Sequence, residues 1–341
     1  MTPTLQKQFS DLLRHPLFGK WLTIQAQLGK TSATLEVYAR NLRDYQAFCQ
    51  TRGIDYLTAR HEHVAAYIHN MASRDVGRNG TQHGYANATM RQHLVAVRLF
   101  YDFLMEEQLR EDNPFTRGAY TASRGFGGSR RGLLPHYQRL PWIPSEEQWH
   151  AILMAAQSEP IRNRLMLALA YDGALRREEL CLLSTGDIDP AYRLITLRAE
   201  TTKTRKGRVV HYSEATDQLY ALYLRQRFTV SRQRGVLFLS ESRRNRAQPL
   251  TKWTWSKVIK ALAERAGVPQ FTTHTLRHLR LTDLARSGWE MHEIATYAGH
   301  KSINTTLAYI HLSGRELAVK LSKGMDSIHA WRTKTISTLL P

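Results

Sequence analysis

Between His274 and Tyr309 the chain reads HTLRHLRLTDLARSGWEMHEIATYAGHKSINTTLAY, with four histidines, three arginines and two tyrosines. Arginine forks hold anions, imidazoles move protons near neutral pH, and a tyrosine oxygen is a nucleophile once its proton has a place to go. The pattern divides into three helices. THTLRHLRLTDLARSG ends at Gly288, EMHEIATYAG ends at Gly299, and INTTLAYIHL is capped by Ser302. In the first, His274, Arg277 and His278 stand at i, i+3 and i+4 and share a face. In the third, Ile303, Leu307 and Ile310 form a narrow apolar stripe. Tyr309 points roughly 130° away from its centre, at about 100° per residue. A core tyrosine joins the stripe, so this one is free for another task. His300 lies at the turn nine residues before it. His292 and Arg286 read as ordinary surface residues. The His274–His278 spacing occurs in zinc-binding helices, but the intervening glutamate is missing and Asp283 faces another way, so no metal is expected.

Composition narrows the partner. The 341 residues carry 48 Lys and Arg against 29 Asp and Glu, a formal charge of +19. An excess this large favours a nucleic acid. The basic residues are spread along the chain rather than gathered on one amphipathic anchor, which argues against a lipid surface. No apolar run approaches the roughly 18 residues of a membrane span, and MTPTLQKQFSDLLRHPLFGKW lacks the apolar core of a signal peptide. A cytoplasmic protein is expected, with Cys49 and Cys181 as buried free thiols.

The elements that must position these residues are legible. Residues 1–30 read as a short helical lead-in. Leu35, Tyr38, Leu42, Tyr45 and Cys49 mark a helix that Gly53 stops, and Val64, Tyr67, Ile68 and Met71 mark another over 61–72. Residues 73–85 read as a polar loop. A long helix over about 86–108 buries Met90, Leu94, Val97, Tyr101 and Leu104, leaving Arg91 and Arg98 outward as candidate DNA contacts. A helical domain over 1–112 results. Residues 113–144 hold four prolines, five glycines and five arginines and read as a basic linker whose Arg130 and Arg131 are candidate phosphate contacts. The second domain, 145–341, opens with three helical segments, SEEQWHAILMAA, IRNRLMLALAYDGA and LRREELCLLST. Its period then changes, and a small antiparallel sheet fits about 187–212. Helices resume at 213–228 and 251–266. The latter begins KWTWSK, where Lys252 and Lys257 mix with tryptophans as a candidate base-reading face. The fold class is mainly α with one small antiparallel sheet.

The second half is similar to the tyrosine recombinases, the phage integrase, Xer and Cre family. ALRREEL resembles that family's first arginine motif, with Arg176 in the arginine position and Glu179 in the acidic one. TKT lies between two predicted strands, where the family places a lysine, so Lys203 matches, with Lys206 a rival on the same turn. HTLRH supplies His274 and Arg277, GH supplies His300, and TTLAYIH supplies Tyr309. Ala174 stands where the motif has glycine, and Arg177 and Glu178 depart from it too. The first half resembles the family's helical, SAM-like core-binding domain.

The resemblance implies a reaction: transesterification at a DNA phosphodiester, without metal, ATP or cofactor. Tyr309 would attack the scissile phosphate to give a 3′-phosphotyrosine and a free 5′-hydroxyl. Arg176 and Arg277 would clamp the non-bridging oxygens and His300 would add a hydrogen bond. Lys203 would protonate the leaving oxygen, and His274 would move the proton on the tyrosine side or hold the phosphate. Glu179 would orient a neighbouring cation. The family precedent also implies a homo-tetramer on synapsed double-stranded DNA, held through a C-terminal tail with a helix pattern in Leu317, Leu321, Met325 and Ile328, and accessory DNA-bending proteins. Such a protein would be nucleoid-associated, in a bacterial or mobile-element host, acting in integration, excision or resolution. A type IB topoisomerase, a telomere-resolving enzyme and a catalytically silent DNA-binding regulator are the alternatives. The intact set of positions weighs against the last.

Overall fold

The structure is a computed structural model that describes residues 3–76, 82–115, 133–134 and 140–310. Arg130, Arg131, most of the expected linker and the tail beyond residue 310 lie outside the described residues. The chain divides into two units, residues 1–138 and 139–341.

The first unit is helical: α1 (Pro3–Gln8), α2 (Ser10–Arg14), α3 (Pro16–Gln27), α4 (Ser32–Arg52), α5 (His61–Ser73) and α6 (Asn87–Glu106). Thr31 caps α4 by accepting the Thr34 N–H, and Gly53 ends it in the left-handed region at φ 63°. The long helices α4 and α6 are tied by polar contacts as well as apolar ones. The Tyr45 and Tyr101 hydroxyls meet at 2.7 Å, and Asn41 Nδ2 donates to the Gln92 carbonyl at 3.0 Å. The first three helices do more than lead in. Leu5, Phe9, Leu12, Phe18, Trp21 and Leu22 are all buried in the same core. The expected loop at 73–85 contains a minimal ladder, β1 (Asp75–Val76) against β2 (Gln82–His83). Gly84 closes it at φ 72°, where an added Cβ would sit 2.2 Å from the Ala72 carbonyl oxygen, so only glycine fits.

Residues 113–115, at the start of the expected linker, pack onto the first unit. Asn113 Nδ2 donates to the Arg98 carbonyl at 3.0 Å and to Asp102 Oδ1 at 2.6 Å. Phe115 is buried against Tyr101, ring centroids 5.3 Å apart. Composition averaged over the following Gly- and Arg-rich stretch conceals this one aromatic anchor.

The second unit contains α7 (Glu146–Ala156), α8 (Ile161–Asp172), α9 (Arg177–Cys181), strands β3 (Ile188–Asp189), β4 (Leu194–Leu197) and β5 (Arg208–His211), then α10 (Glu214–Val230), α11 (Lys252–Arg265), α12 (Thr273–Arg286), α13 (Met291–Ala298) and α14 (Asn304–Ile310). Ser145 and Gln148 form a reciprocal capping box on α7. Helix α8 runs through the core, burying Leu165, Met166 and Leu169 with Trp255, Phe238 and Leu276. The sheet is antiparallel in the order β3-β4-β5, with Ile195 opposite both Ile188 and Val210. Buried Asp172, the last residue of α8, accepts from the Ser213 N–H and hydroxyl and from the Thr216 hydroxyl, fixing the start of α10. Among the described residues no helix is long and apolar enough to cross a membrane.

Candidate active site

The site begins at the turn between α8 and α9. Ala174 occupies φ 47°, a left-handed conformation that glycine adopts at no steric cost. The residue is fully buried in one cluster with Leu281, Ile294, Ala298 and Tyr309. The turn aims the Ala174 carbonyl at α12, where it accepts from Arg277 Nη1 at 2.6 Å, while Nη2 donates to the Ala298 carbonyl at 2.6 Å. Arg277 is thereby buried, only 4% exposed, on two carbonyls from two other elements.

Arg176 is held in a similar way. Its Nη1 donates to Glu179 Oε1 at 2.6 Å, its Nη2 to the Gly299 carbonyl at 3.0 Å, and its backbone N–H to Glu179 Oε2 at 2.9 Å. Glu179 is 1% exposed, not a surface partner. Its carboxylate also receives both Nη groups of Arg208, at 3.1 and 2.7 Å, and Arg208 Nε donates to the Tyr297 carbonyl at 2.8 Å. One carboxylate thus joins α9, β5 and, through the arginines, the end of α13.

Helix α14 corrects one expectation. The stripe of Ile303 and Leu307 does not face the core, for these side chains are 48% and 40% exposed. The opposite face is inward, with Thr306 fully buried and Tyr309 only 3% exposed. Tyr309 is therefore packed, and it is also placed. Its hydroxyl lies 2.8 Å from His278 Nδ1, and its ring stacks on His300 at 6.1 Å with planes 9° apart. His300 Nδ1 is in turn 2.8 Å from the Thr306 hydroxyl. His274, one turn before His278, is exposed, its ring centroid 6.4 Å from that of His278.

Five expected residues, Arg176, His274, Arg277, His300 and Tyr309, and the supporting Glu179 therefore come together around the α12–α14 contact. Lys203 does not join them here. It is exposed between β4 and β5, as is Lys206, and neither side chain bonds to another described residue. Among the described residues no three His, Cys, Asp or Glu side chains converge as a metal site.

Outside the site, Arg91 and Arg98 are exposed one heptad apart on α6. Lys252 sits 3.4 Å from Glu178, Lys257 is exposed, and Trp253, 65% exposed, carries Arg177 and Lys252 against its ring at 5.5 and 5.8 Å.

A profile of the phage integrase family matches residues 144–316, and that of its N-terminal SAM-like domain matches residues 21–108. The chain belongs to the phage integrase family. It is a tyrosine-type site-specific DNA recombinase. Transposase A from transposon Tn554 of Staphylococcus aureus is 24% identical to this recombinase, with 90% of each chain covered. Tyrosine recombinase XerD of Caulobacter vibrioides is 29% identical, covering 84% of this chain and 88% of the relative. In fold it is similar to XerH bound to its difH substrate before cleavage, with TM-score 0.61 and 18% identity over 84% of this chain and 79% of that one. The lambda integrase dimer on a core site is similar at TM-score 0.63 and 17% identity, over 88% and 96%.

Electrostatics in the recombinase site are dominated by cations. Burial alone would raise the Glu179 carboxyl, but the hydrogen bonds and charge of Arg208, with those of Arg176, hold it at about 2. Burial, then the charges of Arg277 and Arg176, lower His300 to about 3. Burial, then His274 and Arg277, lower His278 to about 4. Burial raises the Tyr309 phenol above its ordinary value, against the opposing pull of Arg277 and Arg176. At neutral pH the phenol is protonated and the two imidazoles beside it are neutral.

Three features are not legible in the sequence alone. His278 reads there only as half of a zinc pair. Arg208 is hidden among the lysines and arginines of TRKGRVV. The third is an arginine turn: residues 240–248 close a hairpin through Ser240 N–H to the Gln248 carbonyl, 2.8 Å, and Ala247 N–H to the Ser240 carbonyl, 2.9 Å. It presents Arg243 and Arg244, exposed and bonded through their side chains to no described residue, immediately before α11.

Proposed function

We propose that the recombinase cuts each DNA strand with Tyr309, forming a 3′-phosphotyrosine and a free 5′-hydroxyl, and reseals by the reverse attack, so that bond energy is stored in the protein–DNA link and ATP is not required. The observation that carries this reading is the confinement of the Tyr309 hydroxyl, 2.8 Å from His278, beside two arginines anchored on carbonyls. A guanidinium has five N–H donors. The anchors use two on Arg277, and Glu179 and Gly299 use two on Arg176. The remaining donors of each rigid fork are available for the non-bridging oxygens of a scissile phosphate, where preorganised donors stabilise developing charge. His300 adds a hydrogen bond there. Lys203 protonates the leaving 5′-oxygen, moving in on its turn when DNA binds.

The substrate is double-stranded DNA with a specific site. The solved relatives include complexes with DNA, and the net charge of +19 suits a polyanion. Phosphate contacts come from Arg91 and Arg98 on α6 and from Arg130 and Arg131. Lys252, Trp253 and Lys257 on α11 face the groove. Four protomers act together on two duplexes, with the C-terminal tail joining neighbours and DNA-bending proteins assisting.

The decisive experiment uses nicked suicide duplexes made from the DNA flanking the gene, mixed with the wild type and with Tyr309→Phe, without metal or ATP. A denaturing gel should show a slow covalent band for the wild type and none for the variant. A band that survives in Tyr309→Phe would remove Tyr309 as the nucleophile.

A further inference from the structure

We propose that His278 is the proton acceptor for Tyr309 in strand cleavage and returns that proton to the phenolate oxygen on rejoining. This rests on Tyr309 being the nucleophile. In the forward step the Tyr309 O–H bond breaks and its proton passes to His278 Nδ1 as the phenol oxygen bonds to phosphorus. The P–O5′ bond breaks and the leaving oxygen takes its proton from the general acid, so charge and protons balance. Rejoining runs the same transfers backwards.

The geometry singles out His278. A phenol whose ionisation burial makes harder needs a base within hydrogen-bond reach as it attacks. His278 Nδ1 is at 2.8 Å. His300 lies parallel to the tyrosine ring at 6.1 Å, engages Thr306 through Nδ1 and makes no hydrogen bond to the phenol, so it is not placed to accept the proton. His274 makes no hydrogen bond to the phenol and lies beyond His278. The groups facing His278 are His274 and Arg277 on its own helix, Tyr309 on α14, and His300 before α14, with Arg176 close to the same tyrosine. Together with burial, these neighbours keep the imidazole neutral and able to accept. A bound phosphate brings negative charge against Arg277 and Arg176, which raises the basicity of His278 where and when the proton must move.

The test is single-turnover cleavage of the duplex that gives the Tyr309-dependent band, as a function of pH, for wild type, His278→Ala and His278→Gln. Glutamine keeps a hydrogen-bonding group beside the phenol but takes no proton. Both variants should bind the duplex normally and cleave about 10²–10⁴-fold more slowly at neutral pH. Their rates should climb steadily with pH as phenolate forms unaided. A duplex with sulfur at the leaving 5′ position, which departs without a proton, should not rescue them. Rescue by that sulfur would place His278 on the leaving-group side and overturn the proposal. So would wild-type rates in His278→Ala, or full recovery in His278→Gln, which would leave it a positioning residue. Failure of the Tyr309→Phe control would instead overturn the assignment of the nucleophile itself.

Discussion

Arg208 lies across both oxygens of the Glu179 carboxylate, Nη1 3.1 Å from Oε1 and Nη2 2.7 Å from Oε2, with both side chains buried. Glu179 also fixes Arg176 through two bonds. Removing Arg208 therefore does two things at once. It leaves a buried carboxylate without half its compensation, and it frees that carboxylate to pull on Arg176 alone. Arg208→Ala should lose about 3–5 kcal/mol of stability in urea unfolding, and cleavage should fall even at temperatures where the variant is fully folded. Arg208→Lys should recover little, because an ammonium cannot span both oxygens. A variant as stable as the wild type would refute this arrangement.

Gly299 ends α13 at φ 62°, and an added Cβ would stand 2.9 Å from Arg208 Nη1 and 3.2 Å from Arg208 Cδ. Arg208 is anchored on three sides and cannot swing away cheaply. Gly299→Ala should cost about 1–3 kcal/mol. It should reduce cleavage out of proportion to that loss, because the Gly299 carbonyl also holds Arg176. Calorimetry beside single-turnover kinetics would separate the two effects, and a loss of stability alone would count against the coupling.

Acid should destabilise the free recombinase earlier than its carboxylates would. His278 and His300 are held at about 4 and about 3, below the ordinary 6.5. As pH falls from about 6.5 the unfolded chain binds protons that the folded site refuses, so stability is complete above that pH and declines toward pH 4 and below. Glu179 adds to the loss below its ordinary 4.5, down to about 2. Bound duplex should flatten the decline, since phosphate favours the charged imidazoles. The check is Tm at pH 7.5, 6 and 5, with and without DNA. A flat profile for the free protein would exclude buried neutral histidines.

The arginine turn makes a separate prediction. If Arg243 and Arg244 each meet a phosphate, Arg243→Ala/Arg244→Ala should weaken binding to all duplexes alike. It should also reduce the slope of log affinity against log salt by about 0.9 for each phosphate no longer neutralised. An unchanged slope would remove the turn from the DNA surface.

Deleting residues 314–341 tests the tail. Single-site binding should survive and pairing of two sites should fail in a gel that resolves synaptic complexes. Normal recombination by the truncated protein would end that assignment.

Much of this is readable from residue spacing, because it depends on local periodicity. The helices α4 and α6, the Ser145 cap and the sheet around Ile195 follow from patterns of three, four and two. Residues 274, 277, 300 and 309 stand out because unusual chemistry recurs in a fixed order. What the sequence hides depends on tertiary contact. Nothing local says that α14 buries Thr306 and Tyr309 and leaves Ile303 and Leu307 outside. That inversion arises because the hydrogen bonds to His278 and His300 lie on the polar side. Nor does spacing reveal that Arg208 meets Glu179 across 29 residues, or that Phe115 belongs to the first core. The glycine-to-alanine departure at Ala174 is visible, but its meaning needs the φ value.

The outward Ile303 and Leu307 have one more consequence. Ile303, at the turn before the seven-residue α14, and Leu307 within it stand half in water, which forfeits part of the roughly 1.5–3 kcal/mol that burying each would give. The helix is held by the Tyr309 ring, buried in one cluster with Ala174, Leu281 and Ala298, and by the polar contacts of Tyr309 with His278 and of Thr306 with His300. With so few fastenings, the segment that carries Tyr309 should open as a latch, in an equilibrium separate from unfolding of the unit beneath it. Amide exchange across 303–310 that is faster than exchange across α12 would reveal that equilibrium, and through it the fraction of time the tyrosine stands in place; equal exchange would remove the latch.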